Sequence, residues 1–242
     1  KRVMAVVANA CATSTGLFDP IEEMASFCKK NSLWFHVDGA HGAVALLSPM
    51  HKLKVKGIED ADSIIWDAHK MLRVPSLCTA VLFKKQEHMW NSFHQKGSYV
   101  FHENEVIGMD SMPFTIECTK SALGTKLFWS FALEGLDSIV DFIENSFKQA
   151  KDLYNYLNSQ EDFYCPYEPE SNILCFQYKP DKINDQKQLE LRYELINSGS
   201  FYITSCIINQ KRYLRVVMMN PLSKKDDYRA LANSIEKIAA KI

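Results

Sequence analysis

The chain has 242 residues, 47% of them hydrophobic and 12% aromatic, and its 28 basic and 29 acidic side chains leave a net charge of −1. That size and mix support a sizeable buried core and exclude a disordered, collagenous or low-complexity protein. The balanced charge gives no global electrostatic case for nucleic acid or an anionic membrane as a partner.

In chain order, residues 3–8 form an apolar run rich in valine and alanine, which predicts a central parallel strand buried on both faces. After the polar stretch 9–15, Gly16-Leu17-Phe18-Asp19-Pro20 leads into a helix that closes at Asn31. Asp19 is expected to cap it, Pro20 suits the first helical position, and Glu22 and Glu23 suit the positive end of its dipole. Residues 33–37 read as a second strand ending at Asp38, and 39–57 as a loop with a short helix. A third strand at 63–66 runs into Asp67-Ala68-His69-Lys70, and a fourth covers 78–83.

This alternation predicts an α/β unit with a mainly parallel sheet and right-handed crossovers. From 121 to 159 apolar residues recur at helical spacing, with a break at Glu134-Gly135. Strands at 172–178, 201–208 and 213–219, with helices at 185–197 and 224–241, predict a small α+β domain. The expected division is 1–150 for the larger unit with its linking helix and 151–242 for the smaller one.

Seven cysteines (Cys11, Cys28, Cys78, Cys118, Cys165, Cys175 and Cys206) are widely spaced with no Cys-x-x-Cys pair. They read as reduced thiols of a cytoplasmic protein, not as a disulfide framework or a metal ribbon. Residues 1–12 are too short for a membrane span and lack a signal-peptide layout; the sequence does not open with Met.

In open parallel sheets ligands bind beyond the carboxyl ends of strands, which singles out 9–15, 36–41 and 67–70. A carboxylate at Asp38, directly after an apolar strand, needs a cation or a hydrogen-bond donor, or else simply caps the next turn. His36 and His41 beside it invite a metal reading, but no further ligand lies at suitable spacing, and no metal is expected. Lys70 follows Asp38 by about one crossover unit, so the two can converge on one crevice. A lysine desolvated there beside His69 would serve as an amine nucleophile or proton carrier; a surface lysine is the alternative.

Together, Gly-Leu-Phe-Asp-Pro (16–20), His-Val-Asp-Gly-Ala-His-Gly (36–42), Ala-Asp-Ser (61–63) and Asp-Ala-His-Lys (67–70) resemble the pyridoxal-phosphate-dependent group II amino-acid decarboxylases. That family includes glutamate, cysteine-sulfinate, aromatic amino-acid and diaminobutyrate enzymes. Pro-Glu-Ser-Asn-Ile (169–173) and Leu-Arg-Val-Val-Met-Met-Asn-Pro (214–221) extend the resemblance into the small domain.

The resemblance implies a fold-type I transferase that uses pyridoxal 5'-phosphate, works as a homodimer and decarboxylates a small L-amino acid. Lys70 would form the Schiff base, and Asp38 would keep the pyridinium nitrogen protonated so that the ring accepts electrons as carbon dioxide leaves. Ala40 would lie beneath the ring, His69 would reach the phosphate, Asp67 would stand beside the cofactor, and Thr13 would belong to the loop bonding the ring substituents. Arg215 matches the family arginine that holds a substrate carboxylate, with a structural ion pair as the alternative.

Three departures bear on these expectations. Asp67-Ala68 stands where the family commonly has Asn-Pro, although the histidine and lysine are kept. The family's mobile loop carries a tyrosine that protonates the carbanion, ahead of a segment matched here by Cys118-Thr119-Lys120. The stretch 102–115 holds none and offers His102, Glu103, Glu105 and Phe114 instead, with Tyr99 just before it. Family members are also about twice as long, so the expectation is the C-terminal half of a larger enzyme. Another fold-type I activity, such as an aminotransferase, a desulfurase or an aldehyde-forming relative, and a catalytically silent fragment are the alternatives.

Overall fold

In the computed structural model, which describes residues 2–93, 112–114 and 120–241, four strands build a first sheet in the order β1-β2-β3-β4. They are β1 (Ala5–Asn9), β2 (Trp34–Asp38), β3 (Ser63–Asp67) and β4 (Thr79–Phe83). β1, β2 and β3 are parallel, in a register that sets Asn9 against Asp38 and Asp38 against Ile65. β4 runs antiparallel to β3. The connection from Asp67 to Thr79 falls short of the dozen or more residues a parallel crossover needs, so the chain can only turn back.

Helix α1 (Ile21–Asn31) crosses between β1 and β2 and buries Ile21, Ala25 and Cys28, one stripe at spacings of four and three. They pack on Phe35 and Val37 in the core beneath the sheet. The expectation that Asp19 caps this helix is corrected. The residue before the helix is Pro20, with no side-chain cap, and Asp19 turns back to accept from the Asn9 backbone N–H at 2.7 Å and from its Nδ2 at 2.9 Å. The carboxylate is nearer to donors at the end of β1 than to those of a helix that starts two residues later.

β1 lies at the edge of the described sheet, and Val7 is 54% exposed there. An apolar run reports what a face can bury and not what covers it. Beyond β2 the chain makes three short 3-10 turns (Ala43–Leu47, Lys52–Val55 and Ile58–Asp60) in place of one helix. Helix α2 (Gln86–Phe93) after β4 was not signalled by the sequence pattern.

Helix α3 (Leu123–Asn158) links two cores and breaks at Gly135, whose φ of 76° leaves the helical region, where the break was expected. Ile139, Phe142, Ile143 and Phe147 pack on Met71 and Leu72 of the first unit. Ala150, Leu153 and Leu157, further along, join the core of the second. The second sheet has the order β5-β6-β8-β7, from β5 (Phe163–Tyr164), β6 (Ile173–Tyr178), β7 (Thr204–Ile208) and β8 (Lys211–Val217). Helices α4 (Asp185–Asn197) and α5 (Lys225–Ala239) pack with it through Leu191, Leu195, Tyr228, Leu231 and Ile235.

The strand expected at 201–208 starts only at Thr204, and that expected at 213–219 is shifted two residues earlier. Asn209 and Gln210, at φ of 48° and 64°, form a two-residue hairpin turn that pairs polar Lys211 and Arg212 with Ile208 and Ile207. β5 is a further strand that the sequence pattern did not signal.

Candidate functional site

β2 ends at Asp38 and β3 at Asp67, and because the strands are parallel neighbours both carboxylates leave the sheet at the same edge. The turns beyond them are tied together. The Ala40 carbonyl accepts from the Asp67 backbone N–H at 3.3 Å, and the Gly42 N–H donates to the Ala10 carbonyl at 2.8 Å. A Cβ at Gly42 would lie 2.6 Å from the Cys11 nitrogen, so only glycine permits this approach.

Asp38 Oδ1 accepts from the Ala40 N–H at 3.2 Å, and among the described residues no cation pairs with it. Asp67 is buried and busy. Its Oδ2 is 2.8 Å from Lys70 Nζ and 3.9 Å from His69 Nε2, while its Oδ1 accepts from Thr79 Oγ1 at 2.7 Å. Burial works to raise this carboxyl, but the hydrogen bonds from Lys70 and Thr79 and the neighbouring positive charge hold it below the usual carboxylate value. Lys70 keeps 40% of its side chain exposed while its amine reaches back to the buried Asp67. The His69 ring is fixed by Cys78, with Nδ1 at 2.9 Å from the Cys78 carbonyl and 3.2 Å from its N–H.

A second group comes from the small sheet. Arg215 on β8 donates from Nε to the Thr13 carbonyl at 2.9 Å and from Nη1 to Thr204 Oγ1 at 3.3 Å. It makes no ion pair among the described residues, so the structural ion pair weighed for it is not found. Thr13 contributes its backbone carbonyl to this contact. His41 joins the two groups: its Nε2 is 2.7 Å from Asn172 Oδ1, and it lies within electrostatic reach of Lys70, Arg215 and Asp67. Asn172 is fully buried, and its Nδ2 donates to the Met218 carbonyl at 3.0 Å. Its Oδ1 therefore accepts, which makes His41 Nε2 the protonated nitrogen.

The structure thus collects Asp38, Ala40, Asp67, His69 and Lys70 at one sheet edge, with Thr13 in the loop after β1, and Arg215 of the small sheet is bonded to that loop. Asn172 was visible only as part of a motif, and Thr79 and Cys78 carried no signal; their roles depend on tertiary placement. His36 Nδ1 is 2.7 Å from Ser63 Oγ, and among the described residues no three ligating side chains gather for a metal. Tyr99, His102, Glu103, Glu105, Cys118 and Thr119 lie outside the described residues; Phe114 stacks edge-on against Trp90. None of the described helices is long and apolar enough to cross a membrane.

A pyridoxal phosphate site needs an amine for the aldehyde, an anion for the ring nitrogen and a small residue under the ring. Lys70, the Asp38 carboxylate with no cation among the described residues, and Ala40 meet those needs at one sheet edge, so the residues present fit the group.

The Pyridoxal-dependent decarboxylase conserved domain matches residues 1–179. A mouse acidic amino acid decarboxylase is 26% identical over 249 residues, covering 96% of this chain and 45% of its own length. Mouse CSAD superposes with a TM-score of 0.86 at 24% identity, over 99% of this chain and 52% of that one. Oryza sativa TDC with PLP and tryptamine gives a TM-score of 0.86 at 20% identity, over 98% and 50%. This chain therefore spans about half the length of these relatives. The solved structures carry the fold, that of the fold-type I pyridoxal phosphate decarboxylases. With the conserved domain matched over most of its length and the group II motifs in their order, the chain belongs to the pyridoxal-dependent decarboxylase family.

Proposed function

We propose that the protein decarboxylates a small L-α-amino acid to its amine, with pyridoxal 5'-phosphate attached at Lys70 and its ring nitrogen paired with Asp38. The observation that carries this reading is a strand-end carboxylate with no cation among the described residues, on the same sheet edge as a lysine amine. When bound, the cofactor supplies an electron sink for the pair released as carbon dioxide leaves.

The chain's own residues do the rest. Asp38 holds the ring nitrogen protonated, and Ala40 leaves room above its own backbone. His69, its Nδ1 side anchored at Cys78, offers Nε2 to the phosphate. Asp67 Oδ2, 2.8 Å from Lys70 Nζ, holds that amine in place, and Lys70 is the group that returns a proton to the product carbon. Arg215, held through Nε by Thr13, is free of any acidic side chain among the described residues and binds the substrate carboxylate through its remaining guanidinium N–H groups. A cytoplasmic homodimer belongs to the same reading. The six described cysteines are free thiols, as a reducing compartment would keep them.

The test is spectroscopic and chemical. The purified protein with added pyridoxal phosphate is expected to show a visible absorption band that Lys70→Ala abolishes, and to release carbon dioxide from one or more of a panel of amino acids. A band with no gas and transfer of the amino group to an oxoacid would favour an aminotransferase, and no band at all would sink the cofactor assignment.

A further inference from the structure

His41 stands where three segments meet. The Ala40 carbonyl before it accepts from the Asp67 N–H at 3.3 Å, and the Gly42 N–H after it donates to the Ala10 carbonyl at 2.8 Å. Its backbone is thereby tied on one side to the turn that carries Lys70 and on the other to the loop whose Thr13 carbonyl holds Arg215. The ring reaches the third segment at Asn172, directly before β6. The Asn172 carbonyl in turn accepts at 2.8 Å from the N–H of Met218, just past the strand that bears Arg215.

Asn172 also fixes which ring nitrogen does what. With the Nε2–H given to Asn172 Oδ1, a neutral ring leaves Nδ1 as a bare acceptor. Among the described residues nothing donates to it. The buried side-chain atoms left without a partner there are Trp66 Nε1, His88 Nδ1 and Gln149 Oε1; His41 Nδ1 is not one of them, so it faces open space. Burial, with the positive charges of Lys70 and Arg215, holds the ring below its ordinary value against Asn172 and Asp67, and it is neutral at pH 7.

We propose that His41 is a substrate-binding residue of the same site, its Nδ1 accepting an N–H from the α-ammonium group of the amino acid whose carboxylate Arg215 holds. This rests on the decarboxylase reading and adds a second contact to it. The two contacts are complementary. A guanidinium offers only donors and takes the carboxylate, whereas Nδ1 offers only a lone pair and takes an N–H. No proton changes owner in this contact, and the Asn172 bond keeps the ring from turning over to present a donor instead.

Two measurements check this. In protein with nitrogen-15 in its histidine rings, at pH 7 and without added pyridoxal phosphate, the His41 ring is identified by its absence in His41→Phe and is expected to carry its proton on Nε2. L-Alanine, which has the two recognised groups and little else, is expected to shift Nδ1 upfield, and its N,N,N-trimethyl betaine, which has no N–H, to leave it in place. A ring protonated on Nδ1, a signal that L-alanine raised to its solubility limit does not move, or an equal shift with the betaine overturns the proposal. In the cofactor-loaded protein, His41→Phe keeps a ring of similar size and is expected to raise KM for the amino acid about tenfold, the worth of one hydrogen bond to a charged group, with kcat changed far less and the absorption band kept. An unchanged KM also overturns it. Absence of the band in the parent would remove the decarboxylase reading instead, and the nitrogen-15 shift would still report whether His41 binds an amino acid.

Discussion

His41 and Asn172 form a contact between distant parts of the chain in which each atom's role is fixed. Asn172 gives its amide N–H to Met218 and its carbonyl to His41, and it has no exposed surface. Asn172→Leu would leave the His41 Nε2–H and the Met218 carbonyl without partners, a loss of about 1–3 kcal/mol for buried polar groups. A urea unfolding midpoint equal to that of the parent would contradict this. His41 also carries a pH signature. Burial lowers its pKa from 6.5, Lys70 and Arg215 lower it further, and Asn172 and Asp67 oppose them. As the pH falls, the unfolded chain takes up the proton first, so this stability is complete above about pH 6.5 and is lost as the pH drops through the folded value. His41→Gln keeps an N–H for Asn172 but does not titrate. Its unfolding midpoint is expected to fall less than the parent's between about pH 7 and pH 5.5; parallel falls would assign the effect to another group.

At the scale of elements, local signals were legible where the chemistry is local. The α1 stripe of Ile21, Ala25 and Cys28 and the break at Gly135 follow from spacing and from a positive φ that glycine accepts. The strand ends at Asp38 and at Asp67 before Lys70 were legible for the same reason, since a run of apolar residues stops there. The direction of β4, the exposure of β1 and the turn of Asp19 away from α1 were not, because each depends on what lies across space. Cys175 and Cys206 illustrate the limit: nothing in their spacing predicts that strands flanking β8 lean their sulfurs together. Helix α4 allows a local test. Asn184, its N-cap, accepts from the Lys187 N–H at 3.0 Å. Asn184→Ala is expected to cost about 0.5–2 kcal/mol and Asn184→Gly only a few tenths. Thermal unfolding that ranks the two the other way would show that the cap is not what holds the helix start.

Across the whole molecule, the two sheets are joined by a row of polar ties at one seam. Arg215 bonds Thr13, His41 bonds Asn172, the Phe18 N–H donates to Glu170 at 2.7 Å, and Cys175 reaches Ser14. Gly16 lets the loop pass this closely. At its φ of 74° a Cβ would lie 2.4 Å from Ser171 Oγ and 2.7 Å from Ile173 Cβ. The seam therefore fixes how far Arg215 stands from Asp38 at the end of β2 and from Lys70, three residues past β3. Under the proposed function, Arg215→Lys keeps the positive charge but loses the planar fork and the Nε bond to Thr13. A charge-assisted hydrogen bond is worth about 1.5–3 kcal/mol, so KM for the amino acid is expected to rise about ten- to hundredfold. The bound-cofactor absorption band should stay, because Arg215 holds the substrate and not the ring. Arg212→Gln serves as the control: this arginine lies on the same strand, is bound to Ser205 Oγ at 3.0 Å, and its loss should leave KM unchanged. An unaltered KM in Arg215→Lys would mean that the substrate carboxylate is bound elsewhere, and loss of the absorption band would mean that Arg215 supports the cofactor site itself.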